Sequence, residues 1–211
     1  MTDITEQSIE TFLNELASKA ATPGGGSVSA LLGAQATALI AMVCHLTLGK
    51  EKYAAVEEDM QQLLTQTEQL RKQLTALIQA DVDVFNRLMT CYGMAKSTPE
   101  EQTTRSAAIQ TVLADAIEVP LACARACAQA IALSDIATQK GSSAVISDAG
   151  AAVMCAYAGL KTAALNVYIN AGSLKDKTLA AQKLAELALI LQDADIVSET
   201  IYNQVSNNLQ A

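Results

Sequence analysis

The chain predicts an all-α protein, a single-domain bundle of long, partly kinked helices that pairs as a dimer. Three observations carry the helical part. Hydrophobic residues make up 51% of the 211 positions, yet only 3% are aromatic and there is no Trp. The apolar mass is Ala, Leu, Ile and Val, small or aliphatic side chains that let helices approach closely rather than the β-branched and aromatic mix of a sandwich. Apolar residues recur at helical spacing over long windows, and from Lys52 no Pro or Gly interrupts the pattern until Gly93.

The whole-chain numbers exclude several classes. A net charge of −8 and a pI near 4.6 argue against nucleic-acid binding, which wants a basic face. The five cysteines (Cys44, Cys91, Cys123, Cys127 and Cys155) are odd in number, scattered and mostly in apolar context, as in a reducing compartment. Cys123 and Cys127 share a helix face, but no further ligands lie near in sequence, so no metal is expected. The N-terminus is acidic and polar up to Phe12, unlike a signal peptide. A cytoplasmic protein is the expectation.

Residues 3–19 read as an amphipathic helix, with Ile4, Ile9, Phe12, Leu13 and Leu16 near helical spacing. Thr22-Pro23-Gly24-Gly25-Gly26-Ser27 follows. Three glycines in a row lose much entropy on folding and are rarely kept without use. They precede a charge-free run from Ser27 to Gly49, with Ser27 as its expected N-cap and the helix running to about Leu48. Such a turn leaves backbone N–H groups free at the positive end of a helix dipole, suited to a ligand carboxylate or a polar heterocycle edge. A plain interhelical turn accounts for the same residues. The run is long enough to raise a membrane span. Ser29, Gln35, Thr37, His45 and Thr47 interrupt it and no aromatic belt flanks it, so it reads as a buried bundle helix and no membrane partner is expected. His45 is either a hydrogen-bonded core histidine or a proton carrier.

A third helix is expected over 52–95, roughly 60 Å if straight, against a radius of gyration near ~17 Å for a domain of this size. It must break, or project and pack on a second subunit. Asp81 and Asp83 are two apart and point to different faces; Asp81 shares its face with Leu77, Ile78 and Phe85, and is the one expected to be partly buried with a raised pKa or a partner. Thr98-Pro99-Glu100-Glu101 carries the marks of a helix start. That helix runs to about Leu133 with a kink or break before Pro120. Asp148 is the only charge between Lys140 and Lys161, a helix N-cap, a site residue, or both. On the next helix, about 148–171, Asn166 and Asn170 share a face; they read a heterocycle edge or bond between helices. Gly172-Ser173 breaks the chain, Ser173 and Asp176 form a weak capping box, and a last helix spans about 175–208. Dinucleotide, P-loop, zinc-protease and nucleophile-elbow motifs are absent from the sequence.

Thr22-Pro23-Gly24-Gly25-Gly26-Ser27, then Met42-Val43 with Leu46-Thr47-Leu48-Gly49-Lys50-Glu51-Lys52-Tyr53, Asp81 with Phe85, Pro120, Ser147-Asp148, and Asn166-Val167 with Ile169-Asn170 occur in this order. Together they resemble the formiminotransferase-cyclodeaminase C-terminal domain family, which includes stand-alone formimidoyltetrahydrofolate cyclodeaminases and methenyltetrahydrofolate cyclohydrolases. The resemblance covers nearly the whole chain. It implies an all-α homodimer, a tetrahydrofolate derivative as substrate with no tightly bound cofactor, and a site with Pro23, Gly24, Gly25, Gly26, Ser27, Asn166 and Asn170 against the ligand. The family's polar positions map onto Lys50, Asp81 and Asp148. The chain departs from the expected pattern at His45 and Ser142, where the family is expected to carry Asn.

The activity implied first is the cyclodeaminase reaction. N10 attacks the N5-formimino carbon and ammonia leaves, which calls for a base and an acid close together. Asp148 or Asp81 takes the proton; Lys50 or His45 gives one, or Lys50 holds the folate's glutamate carboxylates. The alternative is the cyclohydrolase, in which water attacks the methenyl bridge. A non-catalytic folate-binding or scaffold protein is the third reading.

Overall fold

The computed structural model describes residues 3–210 and is all-helical, with no strand among them. Its helices are α1 (Ile9–Leu16), α2 (Gly25–His45), α3 (Glu57–Tyr92), α4 (Pro99–Lys140), α5 (Ile146–Ser173), α6 (Lys177–Leu191) and α7 (Ala194–Gln210), with short 3-10 turns at Ile4–Glu6, Glu51–Val56 and Ser143–Val145.

Helices α2 to α5 form an up-down-up-down bundle, as short connections between long helices dictate. Contacts fix each direction. Gly26 of α2 lies against Asp81 of α3 and Gly33 against Leu74, so α2 and α3 run antiparallel. Asp59 pairs with Lys140 at 2.6 Å and Arg87 with Asp115 at 2.7 Å, so α3 and α4 do too. Gly25 faces Asn166, and Gly159 packs on Ser29 and Gly33, which sets α5 antiparallel to α2. The diagonal pair α2 and α4 is parallel, with Ser29 Oγ 3.4 Å from Cys123 Sγ.

Small residues make the crossing possible. A Cβ on Gly33 would fall 2.7 Å from Leu74 Cδ2 and 2.8 Å from Cys127 Sγ, and one on Gly159 would fall 2.9 Å from the Ser29 carbonyl oxygen. Around this crossing Ile40, Met60, Leu63, Leu74, Ile117, Leu121 and Leu160 are fully buried. Helices α2, α4 and α5 are each long and apolar enough to cross a membrane by length and composition; here much of that apolar surface faces the other helices.

Helix α3 is continuous over 36 residues. Past Asp81 it outruns the start of α2, as α4 before Gln110 outruns the end of α5, whose Ser173 carbonyl accepts from Gln110 Nε2 at 3.2 Å. Residues 82–92 and 99–109 therefore project as a helical hairpin, ~16 Å beyond the other two helices. Arg87–Asp115 and the Arg105 guanidinium on the Tyr92 carbonyl at 3.1 Å tie the hairpin together.

Several expectations need correction. The first helix is shorter, a 3-10 turn and then α1, because Ser8 caps it by accepting the Thr11 N–H. Helix α2 ends at His45 rather than Leu48. Ser27 is not its N-cap: the cap position is Gly24, without a side-chain hydrogen bond. The last helix is two, α6 and α7, because Asp193 takes a left-handed φ of 57° that Asp tolerates by bonding locally. Asp176 caps α6 alone, accepting from Thr178 and Leu179 N–H. The capping box at Thr98 and Glu101 is present in both halves.

Helix α4 runs without a break through Pro120 to Lys140, where a kink or break was expected. Proline lacks the N–H that would bond the carbonyl four residues earlier. That carbonyl, Ala116, accepts instead from Asn170 Nδ2 of α5 at 2.7 Å. The neighbouring helix replaces the missing donor. Asn170→Ala should therefore cost about 1–3 kcal/mol by orphaning the Ala116 carbonyl, and roughly 2–4 °C of Tm per kcal/mol. Adding Pro120→Ala, which restores a backbone donor, should recover most of that loss in thermal melts.

Candidate active site

The Gly-rich turn meets α3 at the start of α2. The first turn of any helix leaves N–H groups without intrahelical partners. Here Asp81 fills the role of a cap from the adjacent helix. Its Oδ2 accepts from Ser27 Oγ at 2.8 Å, the Ser27 N–H adds to this, and its Oδ1 sits where a Gly26 side chain would be, 2.0 Å from the ideal Cβ position. Gly26 is thus glycine because a carboxylate lies on its backbone. Ser27 is fully buried, and its hydroxyl serves Asp81 rather than its own helix.

Burial raises the pKa of Asp81, and the Ser27 hydroxyl and N–H only partly oppose it. The partial burial expected for Asp81 is present, and Asp83 on the other face is exposed, held by Gln79 Nε2 at 2.7 Å. A carboxyl whose folded pKa lies above its unfolded value stabilises the fold at low pH and loses that contribution as pH rises through the folded value. Asp81→Asn should remove this part of the pH dependence, leaving stability at pH 7 equal to or above that of the unsubstituted chain in urea titrations.

The rest of this end is built from α5 and the turn. Pro23 is buried after a cis Thr22–Pro23 bond. Gly24 would meet nothing within 4 Å if it carried a Cβ, so the protein itself does not demand glycine there. Asn166 lies beside Gly25, its Nδ2 3.7 Å from the ideal Cβ and bonded back to the Thr162 carbonyl at 3.0 Å. The amide group of Asn170 is committed to the α4 carbonyl, so of the two asparagines only Asn166 borders the turn.

The remaining polar residues singled out in the sequence sit at the opposite end. His45 closes α2 and is exposed, not a core histidine. Lys50 is exposed at the head of the Glu51–Val56 turn. Asp148 lies in the first turn of α5, two residues inside it, and is not the N-cap, which is Val145. Two threads tie this end together: Ser142 N–H donates to Thr47 Oγ1 at 2.8 Å, and Ser143 N–H donates to the Tyr53 oxygen at 3.0 Å. Tyr53 was not singled out as a site residue in the sequence, since its partners lie 90 residues away. The five cysteines are free; burial pushes Cys44 up to about 12, the behaviour of a packing residue.

Helix α2 separates the two groups. It has 21 residues, about 30 Å at its rise per residue. One chain therefore gathers Gly24–Ser27, Asp81 and Asn166 at one end of the bundle and His45, Lys50, Tyr53 and Asp148 at the other.

This architecture defines an all-α bundle with acid–base groups at both helix ends. The chain belongs to the formiminotransferase-cyclodeaminase family, whose model matches residues 8–189. It is 49% identical to a methenyltetrahydrofolate cyclohydrolase of Methylorubrum extorquens over 96% of this chain and 98% of that one. It is 32% identical to the rat formimidoyltransferase-cyclodeaminase over 90% of this chain, which spans 35% of that longer protein. The crystal structure of a formiminotetrahydrofolate cyclodeaminase from Thermotoga maritima superposes with a TM-score of 0.80 at 28% identity, covering 97% of this chain and 96% of that one.

Proposed function

We propose that this protein is a methenyltetrahydrofolate cyclohydrolase, adding water to 5,10-methenyltetrahydrofolate to give 10-formyltetrahydrofolate. The observation that carries the reading is the 49% identity to a protein of that name across nearly the full length of both chains. The cyclodeaminase reaction is the second reading, supported by the Thermotoga fold match. Both reactions handle the same one-carbon bridge between N5 and N10.

The functional unit is a homodimer in which each site takes one end from each copy. Two observations support this. The polar groups of a single chain lie about 30 Å apart, too far to share one folate bridge. The outer face of α2 carries a stripe of Val28, Leu31, Leu32, Gln35, Ala38, Leu39, Met42 and Leu46 at helical spacing, exposed or half-exposed. A second copy laid antiparallel on this stripe by a two-fold axis brings the Gly-rich end of one to the His45 end of the other, twice over.

In that site Asp81, whose raised pKa suits a proton donor, gives a proton to N5 as the C–N5 bond breaks. Asp148 faces the cationic methenyl bridge, and Lys50 holds the glutamate carboxylates as a point charge. Holding both nitrogens in one geometry lowers the barrier by proximity.

Incubation with 5,10-methenyltetrahydrofolate and, separately, with 5-formiminotetrahydrofolate tests the reading. Enzyme-dependent loss of the methenyl absorption without ammonia is the expected result. Ammonia release with a rising methenyl band would make the cyclodeaminase the main activity, and silence on both would remove the folate reading.

A further inference from the structure

We propose that Tyr53 accepts the proton of the attacking water, its oxygen held for that role by Ser143; this rests on the cyclohydrolase reading and on the two-copy site. Tyr53 lies on the turn that begins at Lys50, its own N–H bonded to the Lys50 carbonyl at 2.8 Å. Its oxygen accepts the Ser143 N–H at 3.0 Å and meets Ser143 Oγ at 3.3 Å. An N–H and a hydroxyl aimed at one phenol oxygen is the donor set an anion wants.

The turn that supplies these donors is itself fixed. Ser142 is buried, its N–H on Thr47 Oγ1, and Thr47 bonds back to the Val43 carbonyl at 2.7 Å. Gly141 packs too closely on Val43 and Ala137 to hold a Cβ. The donors are therefore positioned by the end of α2 before any substrate arrives, and the phenol oxygen itself is open to solvent, where water can reach it.

The electrostatics agree. The Ser142 hydroxyl first, then the Ser143 hydroxyl and N–H, hold the phenol at about 7 against an ordinary value of 10.0. The Lys52 ammonium, 5.4 Å from the ring centroid, is the charged group on its own turn that adds to this. Across the α4–α5 turn Lys140 is paired with Asp59. A phenol lowered toward neutrality has the balance of basicity and availability that general-base catalysis favours.

The step balances. The water oxygen bonds to the methenyl carbon, and its proton passes to the Tyr53 phenolate, leaving a neutral carbinolamine and a phenol. The C–N5 bond then breaks with its electron pair on N5, which takes a proton from Asp81 of the second copy. The carbinol hydroxyl proton returns to the Asp81 carboxylate, and the formyl group is complete. Tyr53 releases its proton to solvent, the one proton the overall hydration yields.

The test joins a titration to kinetics. The phenolate absorbance of the unsubstituted protein minus that of Tyr53→Phe should show one ionisation near the value of about 7 given above. Tyr53→Phe should lose about 100-fold or more in kcat, with KM changed less than about threefold and the ascending limb of the pH profile gone. Ser143→Ala, which keeps the phenol and removes one donor, should move both the titration and the limb to higher pH. It carries the test if Tyr53→Phe fails to fold. An ionisation only near the ordinary tyrosine value, ~10, or a folded Tyr53→Phe with kcat and pH profile unchanged, overturns the assignment while leaving the enzyme reading intact. A protein that titrates as expected but acts on neither folate overturns the reaction instead.

Discussion

Gly26→Ala is expected to lose about 100-fold in turnover while its stability changes by less than roughly 1 kcal/mol. The new methyl group would lie 2.0 Å from Asp81 Oδ1, so the carboxylate must swing away and release the Ser27 hydroxyl. Losing that hydrogen bond costs about 0.5–1.5 kcal/mol. Alanine in place of glycine within a helix returns about 0.5–1 kcal/mol. The two nearly cancel in stability, but nothing cancels the displacement of the proton donor. Gly24→Ala is the contrasting variant. Its Cβ meets no protein atom within 4 Å, so any penalty there comes from the substrate and should appear in KM with kcat kept. Steady-state kinetics and urea titration of both variants, side by side, check the contrast. Normal turnover in Gly26→Ala would show that the position of Asp81 does not matter to the chemistry.

The second large effect concerns two copies. Asp81→Asn and Asp148→Asn, purified separately, should each be nearly inactive. Mixed in equal amounts and allowed to exchange subunits, they should recover about a quarter of full activity, because half the dimers are mixed and each of these has one site free of both changes. The arithmetic holds only if Asp81 of one copy works with Asp148 of the other. Recovery of nothing, with subunit exchange shown by mass after isotopic labelling of one of the two variants, would place both carboxylates in the site of a single chain. The two variants keep charge-neutral isosteres, and Asp81→Asn removes an ionised group that the fold disfavours, so neither should report on unfolding.

Much of this was legible in the chain. The capping box at Thr98 and the choice of Asp81 over Asp83 follow from spacing alone, because a helix places residues two apart on different faces; the helix expected over 52–95 begins only at Glu57, after the Glu51–Val56 turn, and ends at Tyr92. The separation of the polar residues was legible too: a helix expected from Ser27 to about Leu48 already puts Ser27 and His45 nearly its full length apart. What the chain withheld were relations across long separations. The hydrogen-bond partner of Ser27 lies 54 positions away, and that of Tyr53 lies 90 positions away. Of the kink or break expected before Pro120, the break is absent for the same reason: a proline's effect on its own helix can be judged locally, but the donor that repairs it comes from α5. The division of the last helix left no glycine or proline behind, and Asp193 alone marks it.

The bond from Asn170 to the Ala116 carbonyl has a bearing on how such a chain can change through descent. The two positions form an ordered lock. If Pro120 is replaced first, α4 regains its own donor, Asn170 becomes redundant, and a later substitution there passes with little penalty. If Asn170 is replaced first, the carbonyl is stranded and the lineage carries a destabilised protein until Pro120 follows. One route between the same two endpoints is nearly level and the other crosses a barrier. Proline lost before asparagine is the sequence of events this geometry favours, and chains that keep proline here without an amide at the partner position should be few.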